Sequence, residues 1–122
     1  MADKLIIVMS KADPRTPMDM VPPLSQALVA AAMEFEVEMI FTGCAGEILR
    51  KGVPQQVKLP KGDRTIYDMI RDAREAGVKF KVCTSALEVC GGGELIAEVE
   101  ETVGGAYLIS EAMDDGTVVF TY

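Results

Sequence analysis

Apolar positions along this chain follow two rhythms, and they alternate. Lys4-Leu-Ile-Ile-Val-Met-Ser10 is a continuous apolar run rich in branched residues. Such a run marks a strand covered on both faces, as in a parallel sheet. Val37-Glu-Met-Ile-Phe41 predicts a second strand, Val78-Lys-Phe-Lys-Val82 a third that ends at Cys83, and Thr117-Val-Val-Phe-Thr121 the last. Leu95 to Val103 is ambiguous and reads as a short helical turn followed by a short strand.

Between the strands the spacing becomes helical. Leu24, Leu28, Ala31 or Ala32, and Phe35 form one stripe. Pro22 and Pro23 fit only the first turn of that helix, so it begins near Val21. Thr42-Gly43 caps a short helix from Cys44 to Arg50, closed by Gly52. Val53 to Gly62, with Pro54 and Pro60, reads as an irregular excursion. Asp63 is the expected N-cap of a helix from Arg64 to Ala76, with Ile66, Met69 or Ile70, and Ala73 inward and Gly77 as its stop. Ser85 to Val89 is a short helical piece before Gly91-Gly92-Gly93. Gly105 to Met113 is the last helix, with Tyr107, Leu108 and Ala112 on its apolar side.

Strands alternating with helices imply right-handed βαβ units. The expected fold is α/β: a three-layer sandwich, with a mostly parallel sheet of about five strands and helices on both faces. The 122 residues suffice for a single domain over 1–122 with its own core. No apolar run approaches the ~20 residues that span a bilayer. The N-terminus does not read as a signal peptide, which points to the cytoplasm and to cysteines held as thiols.

Charge sharpens the picture. The net charge is −7. Seven acids and no lysine or arginine lie between Glu94 and Tyr122. Nucleic acid is therefore an unfavourable partner. The acidic stretch is either a solvated face or a docking surface for a basic protein. The chain has no histidine, which removes Ser-His-Asp and Cys-His catalysis within one chain. Cys44, Cys83 and Cys90 lack a CxxC spacing, so no metal site is expected. Gly91-Gly92-Gly93 matches neither phosphate-loop pattern and reads as a hinge, so no cofactor is expected. Met18 and Met20 read as core or subunit-interface residues.

The candidate chemistry is in the cysteines. Functional groups of open α/β sheets gather beyond the carboxyl ends of the strands. Cys44 follows the second strand and Cys83 the third. Each falls in the first turn of a following helix, where unpaired N–H groups favour thiolate, the nucleophilic form. Thr84 and Ser85 add donors near Cys83. Cys83 is thus a candidate nucleophile, or else a small buried apolar residue. Cys90 follows it by seven residues, about 10 Å along a continuous helix, too far for a disulfide unless the chain folds back. Cys90 reads as a second sulfur-carrying or resolving thiol or as core, and Cys44 as a possible further thiol or as core.

In order along the chain, KLIIVMSKAD, ALVAAAMEF, VEMIFT, GVKFKVCTSALE and VGGAYLISEAMDDGTVVFTY resemble the DsrE/DsrF-like family, including its TusD-type sulfur relay proteins. The resemblance runs nearly end to end. It implies a three-layer α/β sandwich, assembly into homotrimers or homohexamers, and a cytoplasmic role in handing sulfane sulfur between proteins. The family's sulfur-carrying cysteine falls on Cys83. The partners it implies are sulfur donor and acceptor proteins such as TusA-like or rhodanese-like carriers. The cargo would be persulfide or thiosulfate. An acidic docking face at Glu98, Glu100 and Glu101 would suit a basic carrier. The competing readings are a non-catalytic oligomeric scaffold of the same fold and a thiol-redox protein with a Cys83/Cys90 couple. A flavodoxin-like cofactor domain is a distant fourth.

Overall fold

A computed structural model describes residues 3–60, 62–89 and 94–122. Its strands are β1 (Lys4–Met9), β2 (Glu36–Phe41), β3 (Lys79–Cys83), β4 (Val99–Val103) and β5 (Thr117–Thr121). Its helices are α1 (Val21–Ala32), α2 (Ile66–Glu75), α3 (Thr84–Val89) and α4 (Gly105–Ala112). Every strand pair is parallel, and the sheet order is β4-β3-β2-β1-β5. This is the α/β sandwich that the strand and helix rhythm predicts.

The order dictates which face each helix covers. From β1 to β4 the chain steps one way across the sheet, so right-handed crossovers put α1, α2 and α3 on one face. From β4 the chain returns across three strands to β5, which puts α4 on the other. The two cores agree. On the first face Ile7, Met39, Phe41, Phe80 and Val82 pack with Leu24 of α1, Ile70 of α2 and Ala86 of α3. On the second, Ile6, Val8, Ile40 and Val103 meet Tyr107 and Leu108 of α4.

Local details depart from expectation in two places. The N-cap of α2 is Thr65, not Asp63. Thr65 Oγ1 accepts the Asp68 N–H at 3.2 Å and Asp68 accepts the Thr65 N–H at 2.9 Å, a capping box. Second, α1 ends at Ala32, short of Phe35. Glu34 takes a left-handed φ of 69°, and the Phe35 N–H bonds back to the Ala30 carbonyl. This swings Phe35 to the surface and rotates the buried stripe to Pro23, Leu24, Ala27 and Ala30. The short helix expected after β2 forms over Gly43–Leu49 with Thr42 as its N-cap, and it is a 3₁₀ helix. Gly46 lies against α3, where a Cβ would come within 3.0 Å of the Ala86 Cβ. The ambiguous Leu95–Val103 stretch resolves into a turn followed by β4.

Candidate functional site

In this sheet the chain leaves β3 toward one face and β4 toward the other. That makes the gap between their carboxyl ends a topological switch point, the place where open α/β sheets form their clefts. Cys83 is the last residue of β3 and pairs with Val103, the last residue of β4. Since Phe80 and Val82 face α1 and α2, strand alternation turns Lys81 and Cys83 toward the α4 face. Cys83 is a thiol and 8% exposed. Thr84 is exposed at the start of α3, and Ser85 follows it in the first turn.

The other sequence candidates do not all join it. Cys44 is the second residue of the 3₁₀ segment after β2 and is disulfide-bonded, which corrects the expectation of a further thiol there. Cys90 and the glycines at 91–93 lie outside the described residues. Met20 is fully buried, whereas Met18 is 55% exposed. Among the described residues, no group of three or more acidic or cysteine side chains is arranged to hold a metal ion. No helix among them is long and apolar enough to cross a membrane.

The acidic docking surface also needs correcting. Glu98 is buried, and its Oε2 accepts the Tyr67 hydroxyl at 2.8 Å. Glu101 pairs with Lys81 at 2.9 Å, and Glu100 lies 4.0 Å from Arg74. Burial thus removes Glu98 from such a face, while Glu100 and Glu101 stay exposed beside their partners.

The sequence reading missed a buried ion network on the α4 face. Glu38 of β2 is its centre and is 2% exposed. Its Oε2 meets Lys4 Nζ at 2.7 Å, and its Oε1 meets Lys81 Nζ at 3.0 Å. The Tyr107 hydroxyl donates to Glu38 Oε1 at 2.7 Å and accepts from Lys81 Nζ at 2.7 Å. Lys81 also lies over the Tyr107 ring, 4.6 Å from its centroid. Lys4 further pairs with Glu111. A register shift between Phe80 and Lys81 brings Glu101, rather than Glu100, opposite Lys81. Burial pushes the Glu38 carboxyl up, but the hydrogen bonds from Lys4, Tyr107 and Lys81 outweigh it and hold it below the usual range. Burial likewise pulls Lys81 down, while Tyr107, Glu101 and Glu38 together carry it above the ordinary lysine value. The signal was the alternation itself: Glu38 and the lysines of Lys79-Phe-Lys81 mark a polar sheet face, and one helix happens to cover it.

A parallel five-stranded sheet with a cysteine at its switch point defines a class of small α/β proteins. Within that class the chain belongs to the DsrE/DsrF-like family, whose sequence profile matches residues 3–122. The structure is similar to the YchN protein of E. coli, with a TM-score of 0.75 and 18% identity over 100% of both chains. It is also similar to a conserved protein of unknown function from Bacteroides thetaiotaomicron. There the TM-score is 0.66 and the identity 13%, over 98% of this chain and 95% of that one. At these identities the likeness concerns the fold. No curated protein matches the sequence.

Proposed function

We propose that this protein is a cytoplasmic sulfur-relay protein that carries sulfane sulfur on Cys83. The observation that carries the reading is the place of that thiol, at the carboxyl end of β3 where the chain leaves toward opposite faces. Family membership supports it, because relay of sulfur between proteins is what the family resemblance implies.

The chemistry is thiol exchange. The Cys83 thiolate attacks the terminal sulfur of a donor persulfide. A new S–S bond forms, the donor's S–S bond breaks, and the donor departs as its thiolate. With thiosulfate, attack falls on the sulfane sulfur and sulfite leaves. An acceptor thiolate then takes the outer sulfur and returns Cys83 to thiolate, with no net oxidation over the cycle. Rates of such exchange depend on thiolate fraction and access. At 8% exposure, Cys83 must open toward a partner before it reacts.

Intact-protein mass spectrometry tests the reading. After brief incubation with polysulfide, or separately with thiosulfate or tetrathionate, wild type is expected to gain a sulfur or thiosulfate group that Cys83→Ser does not. A native protein that gains nothing would favour the scaffold reading, which the burial of Cys83 also suits.

Self-association into a trimer or hexamer belongs to the same proposal. Between α1 and the edge strand β5 lies a groove of about 460 Å³ whose lining includes Val29, Met33, Phe35, Val118 and Phe120. Each of these five is at least 40% exposed, an uncovered apolar area typical of an interface. Light scattering is expected to give three or six chains for wild type and a smaller species for Phe120→Glu. Monomeric wild type at micromolar concentration would remove this part of the reading.

A further inference from the structure

We propose that the space between the outer face of α2 and the turn entering β4 is a binding site for a small zwitterion, an α-amino acid held by its ammonium on Glu98 and by its carboxylate on Arg71 and Arg74. The site is separate from the thiol. Glu98 directly precedes β4, and Cys83 pairs with Val103 at the far end of that strand, four steps of about 3.3 Å away. The proposal therefore stands apart from the sulfur-relay reading.

It begins from one unmade bond. Glu98 is only 8% exposed. Its Oε2 accepts the Tyr67 hydroxyl at 2.8 Å. That bond holds the tyrosine above its ordinary value, so the hydroxyl stays a donor at neutral pH. Its Oε1 has no such partner. It is the one buried side-chain nitrogen or oxygen among the described residues that makes no hydrogen bond. Buried polar atoms are nearly always satisfied, and a charged one is costly to leave open. No cation among the described residues pairs with Glu98, although two arginines line the same space. Arg71 lies over the Tyr67 ring, 5.8 Å from its centroid, and Arg74 comes only within 4.0 Å of Glu100.

The wall of this space selects its occupant. Glu98, Arg71, Arg74 and Glu75 surround about 260 Å³. That is a little below the ~300–1,000 Å³ of pockets for drug-sized ligands, so the occupant is small. A simple cation would meet Glu98 but face two guanidiniums. A simple anion would meet the guanidiniums but face Glu75 and Glu98, and would leave Oε1 unpaired. Two carboxylates and two guanidiniums sum to zero, which suits a ligand of no net charge that carries both signs on neighbouring atoms. An α-amino acid does this. Its ammonium supplies the N–H that Oε1 lacks. Its carboxylate matches the donor forks of Arg71 and Arg74, which stand three residues apart on one face of α2. Oε1 is closed to bulk water, so the ligand enters past those two long, exposed side chains.

Calorimetric titration of wild type with L-alanine, L-serine and further L-amino acids is the test. At least one is expected to bind saturably, one per chain, and to raise Tm. For that amino acid, the matching hydroxy acid lacks the ammonium and the matching amine lacks the carboxylate. Each should bind about tenfold more weakly or worse, the usual loss of a charged hydrogen bond. Glu98→Gln keeps an acceptor for Tyr67 and removes the charge. It should lose affinity to a similar degree, as should Arg71→Gln combined with Arg74→Gln. Neither heat nor a rise in Tm with any amino acid overturns the proposal. So does a hydroxy acid or amine that binds as well as the amino acid, or inorganic phosphate that binds where no amino acid does. Wild-type affinity in the arginine double variant overturns it too. Both arginines are exposed, so that variant folds and decides the matter even where Glu98→Gln does not fold.

Discussion

Glu38→Ala is expected to destabilise the fold by about 3–5 kcal/mol, the usual result of removing one partner from a buried ion pair. The loss is large because Glu38 serves two lysines. Lys4 and Lys81 have side chains only 11% and 6% exposed, and both would lose their shared carboxylate. Glu38→Gln keeps the shape and the acceptor for Tyr107, so the difference between the variants separates charge from packing. The effect of pH follows from the same bonds. The Glu38 carboxyl is held below its ordinary range, so its contribution is present above the unfolded glutamate value and is lost as pH falls through the folded one. Lys4 and Lys81 are held above theirs, so their contribution is complete below the unfolded lysine value and fades only as pH rises through the folded values. Urea melts should therefore show a plateau of wild-type stability through neutral pH and a decline in acid that Glu38→Gln largely lacks. An acid decline of equal size in Glu38→Gln would assign it to other carboxyls.

Phe80→Ala should have a comparable effect, about 3–5 kcal/mol. Phe80 is fully buried in β3, with its ring 6.4 Å from that of Phe41 across the β2–β3 pair. It lies three residues before Cys83, so the cavity would open under the strand that presents the thiol. Native domains have stabilities of about 5–15 kcal/mol, so the loss is a large fraction of the whole. A double-mutant cycle with Phe41→Ala should return a coupling of about 0.5–1.5 kcal/mol. A single-variant cost below about 1 kcal/mol would show that the core collapses around the gap.

Most of the fold was legible because its signals are local and strong. The run from Leu5 to Met9 reads as a doubly covered strand, and it is the strand that pairs with β2 on one side and β5 on the other. Gly77 reads as a helix stop, and it adopts the φ of +111° that a glycine supplies after α2. The misses arose where two local signals competed. Asp63 and Thr65 are both good caps, and only the reciprocal Thr65-x-x-Asp68 pattern distinguishes them. Phe35 has helical spacing, but the left-handed turn at Glu34 ends the helix first. The site was half legible. A cysteine at the end of a strand follows from the strand alone. The ion network on the same face of the sheet does not, because Lys4, Glu38, Lys81 and Tyr107 are scattered over more than a hundred residues and meet only once the sheet order is known. Glu98 misled for the same reason: the hydroxyl that its carboxylate accepts belongs to Tyr67, thirty-one residues earlier in α2.

The sheet order also bears on synthesis. β1 is made first, yet one of its two neighbours, β5, is made last, with Lys4 opposite Thr117. On the ribosome, β1 to β4 can assemble while the other edge of β1 stays open. The Ile6, Val8 and Ile40 face stays bare as well, since α4 emerges only just before β5. An open apolar edge of this kind is a template for wrong pairing. The last eighteen residues of the sequence therefore act as a latch, and the nascent chain is most exposed to aggregation in the interval before they arrive.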